Sequence, residues 1–191
     1  MAPLLGFPHL TRNEFELLCA AFIVSEAERS RLGHGYGANG WRMKRHGGAV
    51  YLELVANNIT ARREDEPLYE PAEEGGGSEV EEEEDPEALP ARMHREFRMR
   101  YNVLFSPTYQ LPVLYWVADE ALSVEELKAV FSPKEGVISQ GEHLLNGEAW
   151  WFVHPCNTGE AMNAVLELVV GNEERYISVW LGLVKDSAGL R

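Results

Sequence analysis

No apolar run in the sequence approaches the ~20 residues that a membrane-spanning helix requires, so stable membrane insertion is not expected. The first residues, MAPLLGFPHLTRNEFELL, lack the basic start and apolar block of a secretory signal. Only two cysteines occur in 191 residues, Cys19 and Cys156. Two are too few for a disulfide framework, and a reducing, cytoplasmic setting is the expectation. No basic face is evident, which argues against nucleic-acid binding. The glycine-dense stretch Gly33-His34-Gly35-Tyr36-Gly37-Ala38 follows a helix pattern rather than a strand. It therefore fails the context that a phosphate-cradling loop needs. Internal repeats are absent.

Acid is what the sequence has in excess, and the excess is local. The net charge is −14, and thirteen acidic residues with no Lys or Arg fall between Glu64 and Pro90; setting those thirteen aside leaves −1 for the remainder. The stretch EPLYEPAEEGGGSEVEEEEDPEALP also holds four prolines and a Gly-Gly-Gly. It has too few apolar groups to offset the entropy of ordering. It is expected to be a disordered loop, 64–90, inside one domain covering 1–191. A solvated linker is the plain reading, and an acidic docking tail for a basic partner is the functional one.

Periodicity gives the elements. Phe15, Leu18, Cys19, Phe22 and Ile23 recur at helical spacing and predict a helix over Asn13–Leu32, with Thr11 or Asn13 as its cap. Cys19 lies on the apolar face and reads as a small core residue. Gly40–Arg45 and Ala49–Ala56 alternate around His46-Gly47-Gly48, a hairpin signal. Glu96–Phe105 and Leu111–Val117 form a second strand pair. In the first of these, Phe97, Met99, Tyr101, Val103 and Phe105 share one face, and Arg98, Arg100 and Asn102 share the other, wet one. Ser123-Val124-Glu125-Glu126 is a capping box that opens a short helix to about Phe131, stopped by Ser132-Pro133. KEGVISQGEHLLNGE reads as irregular. A strand, Ala149–Val153, and helices over Gly159–Val169 and Glu174–Val184 close the chain. The fold class is α+β, an antiparallel sheet with helices on one face or at its ends.

The chemistry concentrates at WWFVHPCNTGEAM, residues 150–162, where a strand pattern becomes a helix pattern. Helix N-termini favour thiolates because unpaired backbone N–H groups point at the sulfur. Asn157-Thr158-Gly159-Glu160 matches a capping box, which would put Cys156 one residue before the cap. Pro155 stops the strand and fixes the turn. A thiol on such a corner is well presented as a nucleophile. Across Pro155, His154 has two options: a hydrogen bond to a developing oxyanion, or help in deprotonating an incoming amine. A structural cysteine is the plain alternative. A zinc site from His143, His154 and Cys156 lacks a fourth ligand at a telling spacing. The local signatures of cysteine proteases are absent. His9, His34, His46 and His94 carry no assignment.

Several segments resemble one family together. VHPCNTGEAM is similar to the active-site segment of the autophagy conjugating enzymes, distant relatives of ubiquitin-conjugating enzymes. His-Pro-Cys is shared by two branches: the lipid-conjugating autophagy-related protein three and the autophagy-related protein ten family. YNVLFSPTYQLPVLYW, ISQGEHLLNG and YISVWLGLV resemble the second branch, over Tyr101 to about Val184. Leu144 stands where that family often has Pro, and Asn157 where Lys is common. The acidic insertion at 64–90 is this sequence's own.

The resemblance implies a ubiquitin-conjugating-like fold and a two-step acyl transfer with no cofactor or metal. The activating enzyme autophagy-related protein seven would hand the modifier autophagy-related protein twelve to Cys156 as a thioester. A lysine of the acceptor, autophagy-related protein five, would then take it as an isopeptide. It further implies that His154 and a strand tyrosine support the thioester, with Tyr101 favoured and Tyr109 the runner-up. Two alternatives stand beside this: conjugation of a modifier to lipid, and a non-catalytic adaptor of the same fold. Retention of Cys156 counts against the adaptor. Glu14, Glu16, Glu26 and Glu28 on the first helix leave it without the basic polar face that a membrane-sensing segment needs.

Overall fold

The computed structural model describes residues 4, 6–33, 40–60, 96–120 and 137–190. The acidic segment at 64–90 and the short helix expected at Ser123–Phe131, with its Ser132-Pro133 stop, lie outside those residues.

Helix α1 spans Arg12–Arg31. Thr11 is its cap: the hydroxyl accepts the Glu14 N–H at 3.2 Å, and the Glu14 carboxylate accepts the Thr11 N–H at 2.7 Å. Two otherwise unpaired donors are thereby satisfied. Arg29 and Arg31 occupy the last turn, where cations suit the helix dipole, and Gly33 leaves it with φ +79°. Phe15, Leu18, Cys19 and Phe22 are fully inside, so Cys19 is the core residue expected of it.

Among the described residues six strands form one antiparallel sheet in the order β1-β2-β3-β4-β6-β5. They are β1 Arg42–His46, β2 Ala49–Thr60, β3 Glu96–Ser106, β4 Leu111–Ala118, β5 Ile138–Glu142 and β6 Ala149–Val153. His46 pairs with Ala49 across Gly47 and Gly48, whose φ of +55° and +80° make the tight turn that a two-residue hairpin demands. Strand β5 falls in the stretch expected to be irregular. Its sequence, ISQGE, lacks alternation because it is an edge strand with β6 as its partner, Ile138 opposite Val153 and Glu142 opposite Ala149.

The helices cover one face of this sheet. Helix α2, Cys156–Ala164, and helix α3, Tyr176–Val184, complete the core with α1. Met162, Tyr176, Ile177 and Trp180 have no exposed surface, and they pack with Leu52, Tyr101, Val103, Leu114 and Trp116. Each such side chain stabilises the fold by roughly 1.5–3 kcal/mol relative to an exposed one. The buried Tyr176 hydroxyl donates to the Pro8 carbonyl at 2.6 Å, which ties the first residues to α3.

The last helices start and stop differently from expectation. α2 begins at Cys156 rather than Gly159, because Pro155 already has a helical backbone (φ −72°, ψ −14°) and proline is preorganised for a helix start. It ends at Ala164, and a single 3-10 turn, Leu166–Leu168, follows. Glu173–Arg175 is likewise a 3-10 turn ahead of α3.

The sheet's other face is not uniformly wet. Leu104, Val113, Tyr115 and Trp150 form a second buried cluster there. Arg98 and Arg100 are exposed and meet Asp119 at 3.5 and 3.2 Å, but Asn102 is only 5% exposed. The 143–148 connection covers it: the Asn102 amide nitrogen lies 3.2 Å from His143 Nε2, and the His143 ring stacks on Trp150 at 4.2 Å.

Candidate active site

The site lies where β6 runs into α2. The His154 N–H donates to the Val137 carbonyl at 2.8 Å and extends the β5–β6 ladder by one residue. Pro155 has no N–H, so the ladder stops there and the chain turns. The Pro155 carbonyl accepts both the Thr158 N–H at 3.2 Å and the Thr158 hydroxyl at 2.9 Å. Thr158 is 5% exposed, so this clamp is shielded from water and fixes the first turn of α2. Its role differs from the capping box expected at 157–160, because the cap position belongs to Pro155.

Cys156 is thus the first residue of α2, and it is exposed. Its N–H donates to His154 Nδ1 at 3.3 Å. A backbone amide can only donate, so Nδ1 is the acceptor and a neutral ring carries its hydrogen on Nε2. The sequence placed His154 and Cys156 near one another; the geometry adds the tautomer.

The two tyrosines separate clearly. Tyr101, the favoured one, is completely buried in the core, and its hydroxyl donates to the Ala188 carbonyl at 3.2 Å. Burial pushes this phenol far above its ordinary range. Tyr109, the runner-up, lies in the β3–β4 turn, 40% exposed, with its ring edge-on to His154 (centroids 5.8 Å, interplanar 76°). The structure therefore brings Tyr109, not Tyr101, to the imidazole. The strand alternation that marks Tyr101 as inward-facing is the same pattern that takes it away from the thiol.

The Tyr109 turn is held from outside. Gln110 has φ +54°, a left-handed conformation uncommon for a residue other than glycine. Its N–H reaches the Ser106 carbonyl at 2.8 Å, and its own carbonyl accepts the Leu10 N–H at 2.7 Å. His9 Nδ1 lies 3.2 Å from the Tyr109 carbonyl and donates to it. Local spacing gives His9 no assignment, because its partner is 100 residues away. Phe152 also stands beside His154, with ring centroids 6.0 Å apart.

His143 is distant from this chemistry in role. Its Nδ1 lies 3.0 Å from the Asn146 side-chain oxygen Oδ1 and donates to it, while Nε2 accepts from the Asn102 amide. Both ring nitrogens thus serve the β5–β6 connection. Burial is the main reason that this imidazole is held below its ordinary value.

An antiparallel sheet with helices on one face, and an exposed thiol at its strand-to-helix corner, define a ubiquitin-conjugating-like α+β protein. A family model described as "Autophagocytosis associated protein, active-site domain" matches residues 14–191, and the chain belongs to that family. It is similar to the "Ubiquitin-like-conjugating enzyme ATG10" of Homo sapiens, 30% identical over 109 residues, which are 49% of this chain and 49% of that protein. It is also similar to the protein of the same name from Gibberella zeae, 28% identical over 157 residues, 73% of this chain and 65% of that one. The matches thus span about half of the human relative and just under two-thirds of the fungal one.

Proposed function

We propose that the chain is a conjugating enzyme of autophagy that carries a ubiquitin-like modifier as a thioester on Cys156. The observation behind this is the exposed Cys156 at the head of α2, its N–H bonded to His154 and Tyr109 beside that ring. Family membership supports the same reading. A thiol suits a carrier because it is both a good nucleophile and a good leaving group.

In charging, the Cys156 sulfur attacks the thioester carbonyl presented by the activating enzyme. A new C–S bond forms, the bond to the activating enzyme's thiol breaks, and that thiolate leaves. In discharge, a lysine amine attacks the carbonyl; a C–N bond forms, the C–S bond to Cys156 breaks, and the amine proton passes to solvent. Because His154 Nδ1 is occupied by the Cys156 N–H, Nε2–H is a donor and does not take the amine proton. His154 is assigned to the oxyanion rather than to general base catalysis. Tyr109 is assigned as the supporting phenol in place of Tyr101. In the finer reading the activating enzyme is autophagy-related protein seven, which consumes the ATP. The modifier is autophagy-related protein twelve and the acceptor autophagy-related protein five, in a cytoplasmic setting. No helix among the described residues is long and apolar enough to cross a membrane.

Thioester trapping tests this. The protein is mixed with that activating enzyme, ATP and the modifier and run on a non-reducing gel. A modifier-sized shift is expected that dithiothreitol removes, Cys19→Ser keeps and Cys156→Ser converts to a reductant-resistant, base-labile ester. No shift, with all components active on a control enzyme, returns Cys156 to a structural role and favours an adaptor. Charging with the lipid-linked modifier in place of the twelve-type one favours lipid conjugation.

A further inference from the structure

Four rings run along the outer face of the sheet toward the thiol. Tyr115 packs on Phe152 (5.5 Å, 34°), Phe152 on His154 (6.0 Å, 35°), and Tyr109 meets His154 edge-on (5.8 Å, 76°). The imidazole therefore contacts two aromatic side chains, with one nitrogen tied to the Cys156 N–H.

The Phe152 ring has its own seat. Across the β5–β6 ladder Phe152 is opposite Ser139 and Gly141 is opposite Trp150, so Gly141 and Phe152 are diagonal neighbours. Aromatic side chains readily span that diagonal. A Cβ added to Gly141 would lie 3.0 Å from Phe152 Cε1, with Cδ1 at 3.7 Å and Cζ at 3.8 Å. The first distance is inside carbon–carbon contact, which is optimal at about 3.5–4.0 Å. One edge of the ring crowds the space that a side chain at 141 would enter. Gly141 needs no left-handed backbone; its lack of a side chain matters only for what lies above it.

We infer that Phe152, seated on the bare backbone of Gly141, is a positioning residue for His154. It holds the imidazole in the orientation that pairs Nδ1 with the Cys156 N–H and leaves Nε2–H as the donor for the thioester. This rests on the reading that His154 supports discharge of Cys156. The role is indirect: Phe152 touches His154, not the reacting carbonyl. An added Cβ asks the ring to give by a few tenths of an ångström; a full ångström of misplacement costs about 100-fold in rate, so a several-fold loss is the scale expected here.

The test uses the full chain, charged on Cys156 and discharged to free lysine. Gly141→Ala is expected to slow discharge several-fold and charging by less, because the same carbonyl carries the oxyanion in both steps but a thiol attacks a thioester more readily than an amine does. Phe152→Leu is expected to do the same, and Phe152→Tyr to restore most of the rate by keeping the ring. The double variant Gly141→Ala/Phe152→Leu is expected to be no slower than Phe152→Leu alone, since the clash needs the ring. Nitrogen-15 spectra of His154 give a readout that does not depend on the reaction. Gly141→Ala should shift the Nδ1 and Nε2 signals away from their wild-type pattern.

Wild-type discharge and unshifted His154 signals in both Gly141→Ala and Phe152→Leu would overturn the proposal. So would equal slowing of charging and discharge with a matching loss of thermal stability, which marks a packing defect only. Should Gly141→Ala fail to fold, Phe152→Leu against Phe152→Tyr decides the matter alone. His154→Ala discharging at the wild-type rate would instead refute the role of His154, while shifted imidazole signals in Gly141→Ala would still uphold the packing relation.

Discussion

Replacing Tyr101 with Phe separates the fold from the chemistry. The substitution deletes one oxygen and leaves the ring in place. That oxygen donates to the Ala188 carbonyl at 3.2 Å in a region where both residues have no exposed surface. Removing the donor strands a buried carbonyl, which costs about 1–3 kcal/mol, more than the ~1 kcal/mol net value of the bond itself. For a chain of 191 residues, a kilocalorie moves the melting temperature by roughly 2–4 °C, so a drop of about 2–12 °C is expected. Tyr109→Phe removes a hydroxyl at a 40% exposed position, where water replaces any lost partner, and its melting temperature should stay within about 2 °C. Calorimetry measures both. Single-turnover discharge of the Cys156 thioester, run well below either melting temperature, should show the reverse order, with Tyr101→Phe near wild type and Tyr109→Phe slow. A stable Tyr101→Phe protein with impaired discharge would refute the argument.

Native alkylation should label one site. Burial, and then the Glu16 charge, push the Cys19 thiol upward, so it stays protonated and shielded near neutral pH. Iodoacetamide is expected to add once to the folded protein, at Cys156, and twice in denaturant; fast native labelling of Cys19 would count against its core placement. Thr158→Val keeps the shape of the clamp and loses its hydroxyl bond to Pro155, at a cost of about 0.5–1.5 kcal/mol, read as a lower denaturation midpoint with unchanged slope. An unchanged midpoint would mean that the Thr158 N–H alone suffices. Burial holds the His143 imidazole below its ordinary 6.5, so the unfolded chain takes up the proton first. Stability should therefore fall as pH drops below about 6.5, level off once the folded ring titrates, and be indifferent to this group above that. His143→Gln should shrink the loss of melting temperature between pH 7 and pH 5; an equal loss in both proteins would show that other groups govern it.

Elements with a pattern of their own were legible in the sequence. α1 shifts by one residue from expectation, and β3 and β4 each extend by one, because their apolar residues repeat at the right period. Strand β5 was not legible: Ser139, Gln140 and Gly141 carry no β signal, and only pairing with β6 makes them a strand. Asn102 read as solvent-facing because alternation assigns a face but not what lies across it. The His143–Asn102 contact joins residues 41 apart and leaves no trace in local spacing. At the site, Cys156, Pro155 and His154 are adjacent in sequence and could be read together. A capping-box match at 157–160 points past the true start of α2, because Pro155 already has helical geometry. The choice between Tyr101 and Tyr109 needs three-dimensional knowledge, since Tyr101 lies inside β3 and Tyr109 in the turn after it, a turn held by contacts to His9 and Leu10.

Those contacts bear on how the molecule comes into being. The Tyr109 turn is braced by a residue 100 positions earlier, and the Pro8 carbonyl that steadies this opening segment waits for Tyr176, 168 positions later. A nascent chain leaving the ribosome at about 5–20 residues per second makes residues 8–10 long before the helix that secures them. The thiol's surroundings therefore belong to the last stage of folding, after synthesis has passed Tyr176. Until then the corner at 154–156 has its local turn without its full set of neighbours.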